Sequence, residues 1–289
     1  SYSIISYQCA WLSHYYSTEW VAAFLDKEPE SRKEKAINLA KQHGYKIKPL
    51  NINYSEMTWK IIDDETLVAP LTTIKGLGEK AIEQVLLHRP FNTIEDLLFN
   101  DKVVYSKLNK KALDVLCRSG AIDDLIDDRF TGSKHFWYAT CVDRPRTAKK
   151  LAEHINTYRS EGSFTEEEKI EFLADLTGIF PMSMVVTEDV QRRLDELYVP
   201  AISDYDSNLM VCWCVPRKVI VKKSKNNRIF YVVEVIDSNS VLTKIRCWSV
   251  NPERDHIHIN RPYMVKPSYN STWGFSTRGG INNSWCLLG

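Results

Sequence analysis

The sequence has no run approaching the roughly 20 consecutive apolar residues that a membrane-spanning helix needs. Its opening stretch, SYSIISYQCAWLSHYY, has neither a basic leader nor a small-residue cleavage site. These absences predict a cytoplasmic protein with no membrane partner. The seven cysteines, at 9, 117, 141, 212, 214, 247 and 286, are odd in number and scattered. They fit reduced thiols better than a disulfide framework. Zinc-ribbon spacing is missing too: Cys212-Trp213-Cys214 and His256-Ile257-His258 each offer two ligands but no Cys-x-x-Cys. A buried strand and a polar loop explain them at lower cost. Asp204-Tyr205-Asp206 looks like a metal-binding carboxylate pair, yet no third carboxylate accompanies it, so surface acid is the expected reading. Internal repeats and low-complexity tracts are absent. No catalytic or metal-ligating residue is therefore assigned.

What is present suffices for two or three small cores: 289 residues, 44% hydrophobic and 26% charged. The net charge of +1 conceals an asymmetry. Residues 1–200 hold 26 Lys and Arg against 31 Asp and Glu, whereas residues 201–289 hold 12 against 6. The basic end is the candidate for a polyanionic partner.

Apolar periodicity between Ser6 and Asp26 predicts two packed helices around a polar break at Ser17-Thr18. A third helix opens on a capping box, Ser31 with Glu34, and ends at Gly44, where a left-handed residue is expected. Residues 45–73 read as extended or irregular, with a turn at Asp63-Asp64. Helical pattern returns at 78–88, at 93–99, and at 109–118 behind Asn109. Residues 123–147 read as a connector, with Asp123, Asp124, Asp127 and Asp128 as solvated acid. Helices are expected again at 148–160, at 166–176 behind the Thr165–Glu168 capping box, and at 188–198. After Pro200, runs 209–221, 228–236 and 241–250 are rich in β-branched and aromatic residues and separated by KSKNN and DSNS, which predicts a small all-β domain. The fold class is therefore α+β multidomain: mainly helical over the first two-thirds, then a small β-barrel domain of the OB type.

Two segments carry candidate binding chemistry. In TIKGLGEKAIEQVLLHR, Gly76-Leu77-Gly78 leads into a helix with Lys75 and Lys80 alongside. Glycines there admit positive φ and let a phosphate approach N–H groups at a helix N-terminus, as in a helix-hairpin-helix motif that grips a duplex backbone. The alternative is a turn with no ligand. In the β domain, Lys222, Lys223, Lys225 and Arg228 put four cations within seven residues, and Lys244, Arg246 and Trp248 share a strand face by alternation. Cations flanking an aromatic suit a single strand on an OB-fold. The alternative is a solvated hairpin with Trp248 in the core.

Several segments taken in order carry a resemblance. SYSIISYQCAWLSHYYSTEWVAAFL resembles the fingers segment of the bacterial C-family replicative DNA polymerases, the polymerase III alpha type. HGYKIKPLNINYSEMTWKI is similar to that family's strand-and-turn, and IKGLGEKAIEQVL, FNTIEDLL and LNKKALDVLCRSGAIDDL to its helix-hairpin-helix region. IEFLADLTGIFP is similar to the helix leading to its OB domain. Ser17, Leu50-Asn51 and Phe180 depart from the family pattern, as expected of a divergent member, bacterial or phage-encoded.

The resemblance implies the C-terminal half of such a polymerase, with a fingers segment at 1–70, a helix-hairpin-helix region at 71–130, a helical connector at 131–200 and an OB domain at 201–289. It also implies that the PHP domain, the palm with its metal-binding aspartates and Mg²⁺, and the thumb lie upstream. The implied partners are that upstream half, primer-template DNA and single-stranded template. A sliding clamp is a further family partner, but no clamp motif stands in 126–165, where HFWYA at 135–139 is a poor substitute. Ser1 falls where a natural break, an intein or split-gene junction, or an arbitrary cut is expected. A competing expectation is a free-standing single-strand-binding or processivity accessory protein with an OB-fold.

Overall fold

The computed structural model describes residues 2–29 and 32–288, so the Ser31 half of the first capping box lies outside the described residues. The chain divides into two compact units, one ending at Phe180 and the other starting at Pro181. No described helix is long and apolar enough to cross a membrane.

The first unit opens with α1 (Tyr2–Tyr15) and α2 (Ser17–Lys27), broken where the polar residues predict. The expected packing of the two is not observed. α2 buries Thr18, Ala22 and Leu25, and the Thr18 hydroxyl donates to the Asp64 carbonyl at 2.6 Å, whereas α1 buries no residue. Spacing aligns Tyr7, Trp11 and Tyr15 in a stripe, but a stripe does not reveal what covers it; among the described residues the Trp11 ring meets only the tilted rings of its chain neighbours, Tyr15 at 5.0 Å and Tyr16 at 5.7 Å.

α3 (Lys33–Gln42) closes just before Gly44, whose φ of +91° supplies the left-handed turn. The irregular stretch that follows contains a small sheet of β1 (Lys46–Lys48), β2 (Lys60–Asp63) and β3 (Thr66–Val68) in the order β1-β3-β2, with β1 and β3 parallel. Every residue of β3 is buried and every residue of β2 exposed. Then come α4 (Glu79–His88), α5 (Ile94–Leu98) and α6 (Lys110–Arg118). Thr93 and Asp96 close a reciprocal capping box on α5, and the Asn109 side chain accepts from the Ala112 N–H to cap α6.

Residues 130–141 differ from the connector reading. α7 (Ser133–Trp137) continues into a wide turn at 138–142, and Phe130, Phe136, Ala139 and Cys141 all lie in the core shared with Leu67, Ile74, Leu97 and Leu113. His135, inside HFWYA, is fully buried; its Nδ1 accepts from the Thr131 N–H at 2.9 Å, so Nε2 bears the proton and donates to the Ile155 carbonyl at 2.8 Å. The bond ties α7 to α8 (Ala148–Thr157). Mixed composition hid this, because a five-residue helix is too short to display a period. α9 (Glu166–Thr177) follows, with the predicted Thr165–Glu168 capping box at one end and left-handed Gly178 at the other.

The second unit begins with α10 (Met182–Val185) and α11 (Glu188–Glu196), then becomes all β. Its strands are β4 (Cys212–Lys223), β5 (Ile229–Ile236), β6 (Thr243–Cys247), β7 (Tyr263–Val265), β8 (Ser268–Asn270), β9 (Gly274–Thr277) and β10 (Trp285–Leu287). They form one curled mixed sheet in the order β10-β7-β4-β5-β6-β9-β8, with β6 and β9 parallel, an OB-like half-barrel. The long β4 pairs with β5 along one stretch and with β7 along another, and a bulge between Pro216 and Lys218 bends it. Inside the curl pack Cys212, Cys214, Tyr231, Val233, Ile245 and Cys247. Strands β7–β10 were not anticipated, since three or four residues carry too little alternation to be seen.

Buried Asp237 ties the loops to the sheet, its carboxylate accepting from the N–H groups of Ser203, Asn239 and Val241 at 2.8–3.1 Å. Phe136→Ala should cost the first unit about 3–5 kcal/mol, the range for emptying a core aromatic. A urea titration checks this, and a loss below about 1 kcal/mol would mean that 130–141 carries no part of the core.

Candidate nucleic-acid interface

The hairpin before α4 is built on one torsion. A 3-10 turn at 71–73 delivers buried Ile74, the chain reverses at Gly76 with φ +85°, and Leu77 returns to the core at 8% exposure. The Lys75 N–H donates to the Leu176 carbonyl at 2.8 Å, which fastens the hairpin to the end of α9. Gly78 is the N-cap of α4 and has extended torsions, φ −73° and ψ 149°, with no side chain to cap the helix. The left-handed glycine is therefore Gly76 and not Gly78. The Ala81 N–H donates to the Gly78 carbonyl at 2.9 Å, and the N–H groups of Glu79 and Lys80 before it have no side-chain cap and are open to an external acceptor.

A second helix start lies beside the first. An open cleft of about 650 Å³ is lined by Gly76, Gly78 and Lys80 from the hairpin and by Ser106, Lys107, Asn109 and Lys111 from the start of α6, with Glu79 also on its wall. A Cβ placed on Gly76 would sit 3.7 Å from both Lys111 Cε and Val115 Cγ1, so the hairpin rests on α6. A Cβ on Gly78 would meet nothing within 4 Å, because that position faces open space. Lys80, Lys107 and Lys111 are exposed; Lys75 is exposed as well but does not line the cleft. Lys107 and Lys111 were missed in the sequence. The signal was there, since the capping Asn109 stands between them, but only folding brings that cap against the glycines.

On the half-barrel, register sorts the predicted residues into rows. On the face turned away from the core, Lys222 of β4 pairs with Phe230 of β5, and Phe230 stacks on Trp248 at 4.5 Å. The next row is Ile220, Val232, Arg246 and Ser276, and the one after is Lys218, Glu234 and Lys244. Lys244, Arg246 and Trp248 thus share a face as alternation predicts, and Trp248 is half-buried on that outer surface rather than in the core. Their charges are not equivalent. Lys244 pairs with Glu234 at 3.1 Å, and Arg246 Nη1 donates to the Trp273 carbonyl. Lys222, Lys223, Lys225 and Arg228, around the β4–β5 turn, are all exposed.

The remaining suspects have ordinary partners. Asp204 accepts from the Asn239 side chain at 2.8 Å, and Asp206 accepts from the Asn208 N–H within its own turn at 2.8 Å. Cys212 and Cys214 are buried, and burial pushes the Cys212 thiol up to about 12. His256 and His258 lie in an exposed loop. Of the acidic run, Asp123 stands beside Gly120, where desolvation pushes its carboxyl up to about 6 against the opposing pull of Lys169. Among the described residues no group of three or more His, Cys, Asp or Glu is placed to hold a metal ion.

A glycine-hinged turn ahead of a helix N-terminus, with a second capped helix beside it, defines a helix-hairpin-helix domain, and the helix-hairpin-helix motif family matches residues 44–131. Beyond that motif, the chain matches a C-terminal portion of DNA polymerase III alpha subunits. It is 33% identical over 132 residues to the subunit of Pseudomonas aeruginosa, covering 43% of this chain and 11% of the relative. The figures for Escherichia coli are 33% over 132 residues, with 43% and 11% covered. With the subunit of Buchnera aphidicola from Schizaphis graminum the similarity extends over 304 aligned residues at 23% identity, covering 94% of this chain and 26% of the relative. The chain thus spans between 11% and 26% of the length of these relatives.

The two glycines separate in their response to a side chain. Gly76→Ala should lower stability by about 1–2 kcal/mol, the cost of a left-handed residue with a Cβ. Gly78→Ala should cost under about 1 kcal/mol, the difference between two poor caps. Thermal melts of the two variants check the ranking, which reverses if Gly78 is the strained position.

Proposed function

We propose that this chain is a DNA-holding, non-catalytic portion of a replicative DNA polymerase. The helix-hairpin-helix cleft grips the backbone of the primer-template duplex, and the outer face of the half-barrel holds single-stranded template. The observation that carries this reading is the convergence of the α4 and α6 N-termini on one cleft with Lys80, Lys107 and Lys111 around it. Two helix starts present backbone N–H groups and positive dipole ends to the same volume, and lysines add charge without selecting a base. Such a site binds phosphates of any sequence, as a polymerase requires. The similarity to DNA polymerase III alpha subunits supports the same assignment.

In this reading the phosphoryl-transfer chemistry, with its carboxylates and Mg²⁺, belongs to an upstream palm. The uncovered aromatic stripe of α1, with Tyr7 at 70% and Trp11 at 43% exposure, is the surface that meets that upstream part. A buried stripe in the assembled polymerase accounts for apolar residues that would be costly to leave in water.

Gly78 provides the clean test, because its torsions accept any residue and its Cβ direction is open. Gly78→Val should change stability by at most about 1 kcal/mol yet weaken primed-duplex binding by about tenfold or more, as blocked charged hydrogen bonds require. Lys107→Ala with Lys111→Ala should reduce the magnitude of the duplex salt slope by up to about two units, near 0.9 per phosphate contact. Fluorescence-anisotropy titrations over a salt series check both, and a folded Gly78→Val variant with unchanged duplex affinity overturns the cleft assignment.

For the half-barrel, replacing Lys222, Lys223 and Lys225 with Ala should reduce the magnitude of the single-strand salt slope by up to about two units, near 0.7 per contact. Equal slopes for the triple variant and the parent would remove the β4–β5 turn from the binding face.

A further inference from the structure

Trp273 sits at the tip of the β8–β9 hairpin with 67% of its surface exposed, among the most exposed large side chains in the second unit. Its backbone is held from both sides. The Asn270 side-chain oxygen accepts from the N–H groups of Thr272 at 2.9 Å and Trp273 at 3.2 Å, and Arg246 donates to the Trp273 carbonyl. Gly274 follows with φ +72°, and the Ser268 hydroxyl donates to the Ser276 carbonyl at 3.2 Å across the base of the hairpin. The backbone of the tip is thus fastened at three points, and no other ring stacks on the Trp273 indole among the described residues. An exposed indole on a backbone that is already ordered leaves less chain to fix on binding, which favours a stacking contact.

The tip belongs to the same surface as the Phe230–Trp248 pair. Arg246 lies one alternation before Trp248 on β6, on the outward face, and its guanidinium spans from that face to the tip. We infer that Trp273 is a second base-stacking station for a nucleic-acid single strand, separate from Trp248, and that Arg246 is a positioning residue that holds the tip rather than a phosphate-binding cation. This rests on the single-strand reading of the half-barrel given above. It reassigns a residue that the sequence alone marks as a DNA-contacting charge. The Arg246 Nη1 donor engaged on a backbone carbonyl contributes through the geometry of Trp273, whereas a phosphate contact by its other donors would draw on its charge.

The two roles differ in salt dependence, since stacking releases no counterions and phosphate pairing does. The test is binding of a fluorescein-labelled thymidine oligonucleotide to the full chain across a salt series, for the parent, Trp273→Ala, Trp273→Phe, Arg246→Ala and the Trp273→Ala/Arg246→Ala double variant, with a melting curve for each. Trp273→Ala should weaken binding about 5- to 150-fold at unchanged slope, the range for one stacked base, and Trp273→Phe should recover most of the loss. Arg246→Ala should show a similar loss, again at unchanged slope, and the double variant should be no weaker than the poorer single one. Trp273→Ala is at an exposed tip and keeps the experiment decisive even if Arg246→Ala melts early. Parent-like affinity of Trp273→Ala overturns the stacking station. A slope smaller by about 0.7 in Arg246→Ala, additive with Trp273→Ala, overturns the positioning role. If the parent itself fails to bind at low salt, the single-strand reading of the half-barrel falls and this inference falls with it.

Discussion

A helix begins with N–H groups that have no carbonyl four residues earlier to receive them, and each must find a side chain, a solvent molecule or a ligand. At α5, α8 and α9 a threonine side chain fills that need, and at α6 an asparagine does. At α4 no described side chain does, because the cap is Gly78, and only the Ala81 N–H is taken up, by the Gly78 carbonyl. The left-handed turn at Gly76 aims this uncapped end at the cleft shared with α6, and the bond from the Lys75 N–H to Leu176 fixes the approach. A capping side chain at position 78 would stabilise the helix and, in the proposed function, fill the place that a phosphate would take. The missing cap is thus a local loss of stability at a position where the proposed function makes the backbone itself the binding group.

The half-barrel distributes its chemistry differently. Four of its exposed cations gather around the β4–β5 turn, while the two on β6 are committed, Lys244 to Glu234 and Arg246 to the Trp273 carbonyl. Aromatic surface, by contrast, lies on the sheet and at the β8–β9 tip. Charge attracts a polyanion over a Debye length and is weakened by salt, whereas stacking acts only in contact and is not. In the proposed function, lysines on a turn and rings on the sheet let the first act as an approach and the second as a seat.

Both units rely on buried polar groups to hold irregular segments against regular ones. Asp237 receives three N–H groups where the β5–β6 loop meets the 202–204 turn, and His135 bridges Thr131 and Ile155 across α7. Removing one partner of such a network leaves the others unsatisfied in a low-dielectric setting, so each is costlier to disturb than its own bonds suggest.

Much of this was legible from one dimension. The Thr165–Glu168 capping box, Gly44, the Gly76-Leu77-Gly78 turn and the alternation of Lys244, Arg246 and Trp248 are local, because they depend on torsions and on residues a few positions apart. Three things were decided only in three dimensions. Which glycine turns left-handed depends on Leu77 and Lys75 being held by the core and by α9. Whether the stretch around Phe136 is a connector or a core helix depends on contacts with residues far along the chain. Which basic residues are available depends on partners brought in by pairing: alternation put Arg246 on the outer face, but only the parallel alignment of β6 with β9 carried Trp273 to it. Periodicity specifies the direction of a side chain relative to its own backbone, and long-range pairing specifies what it meets there.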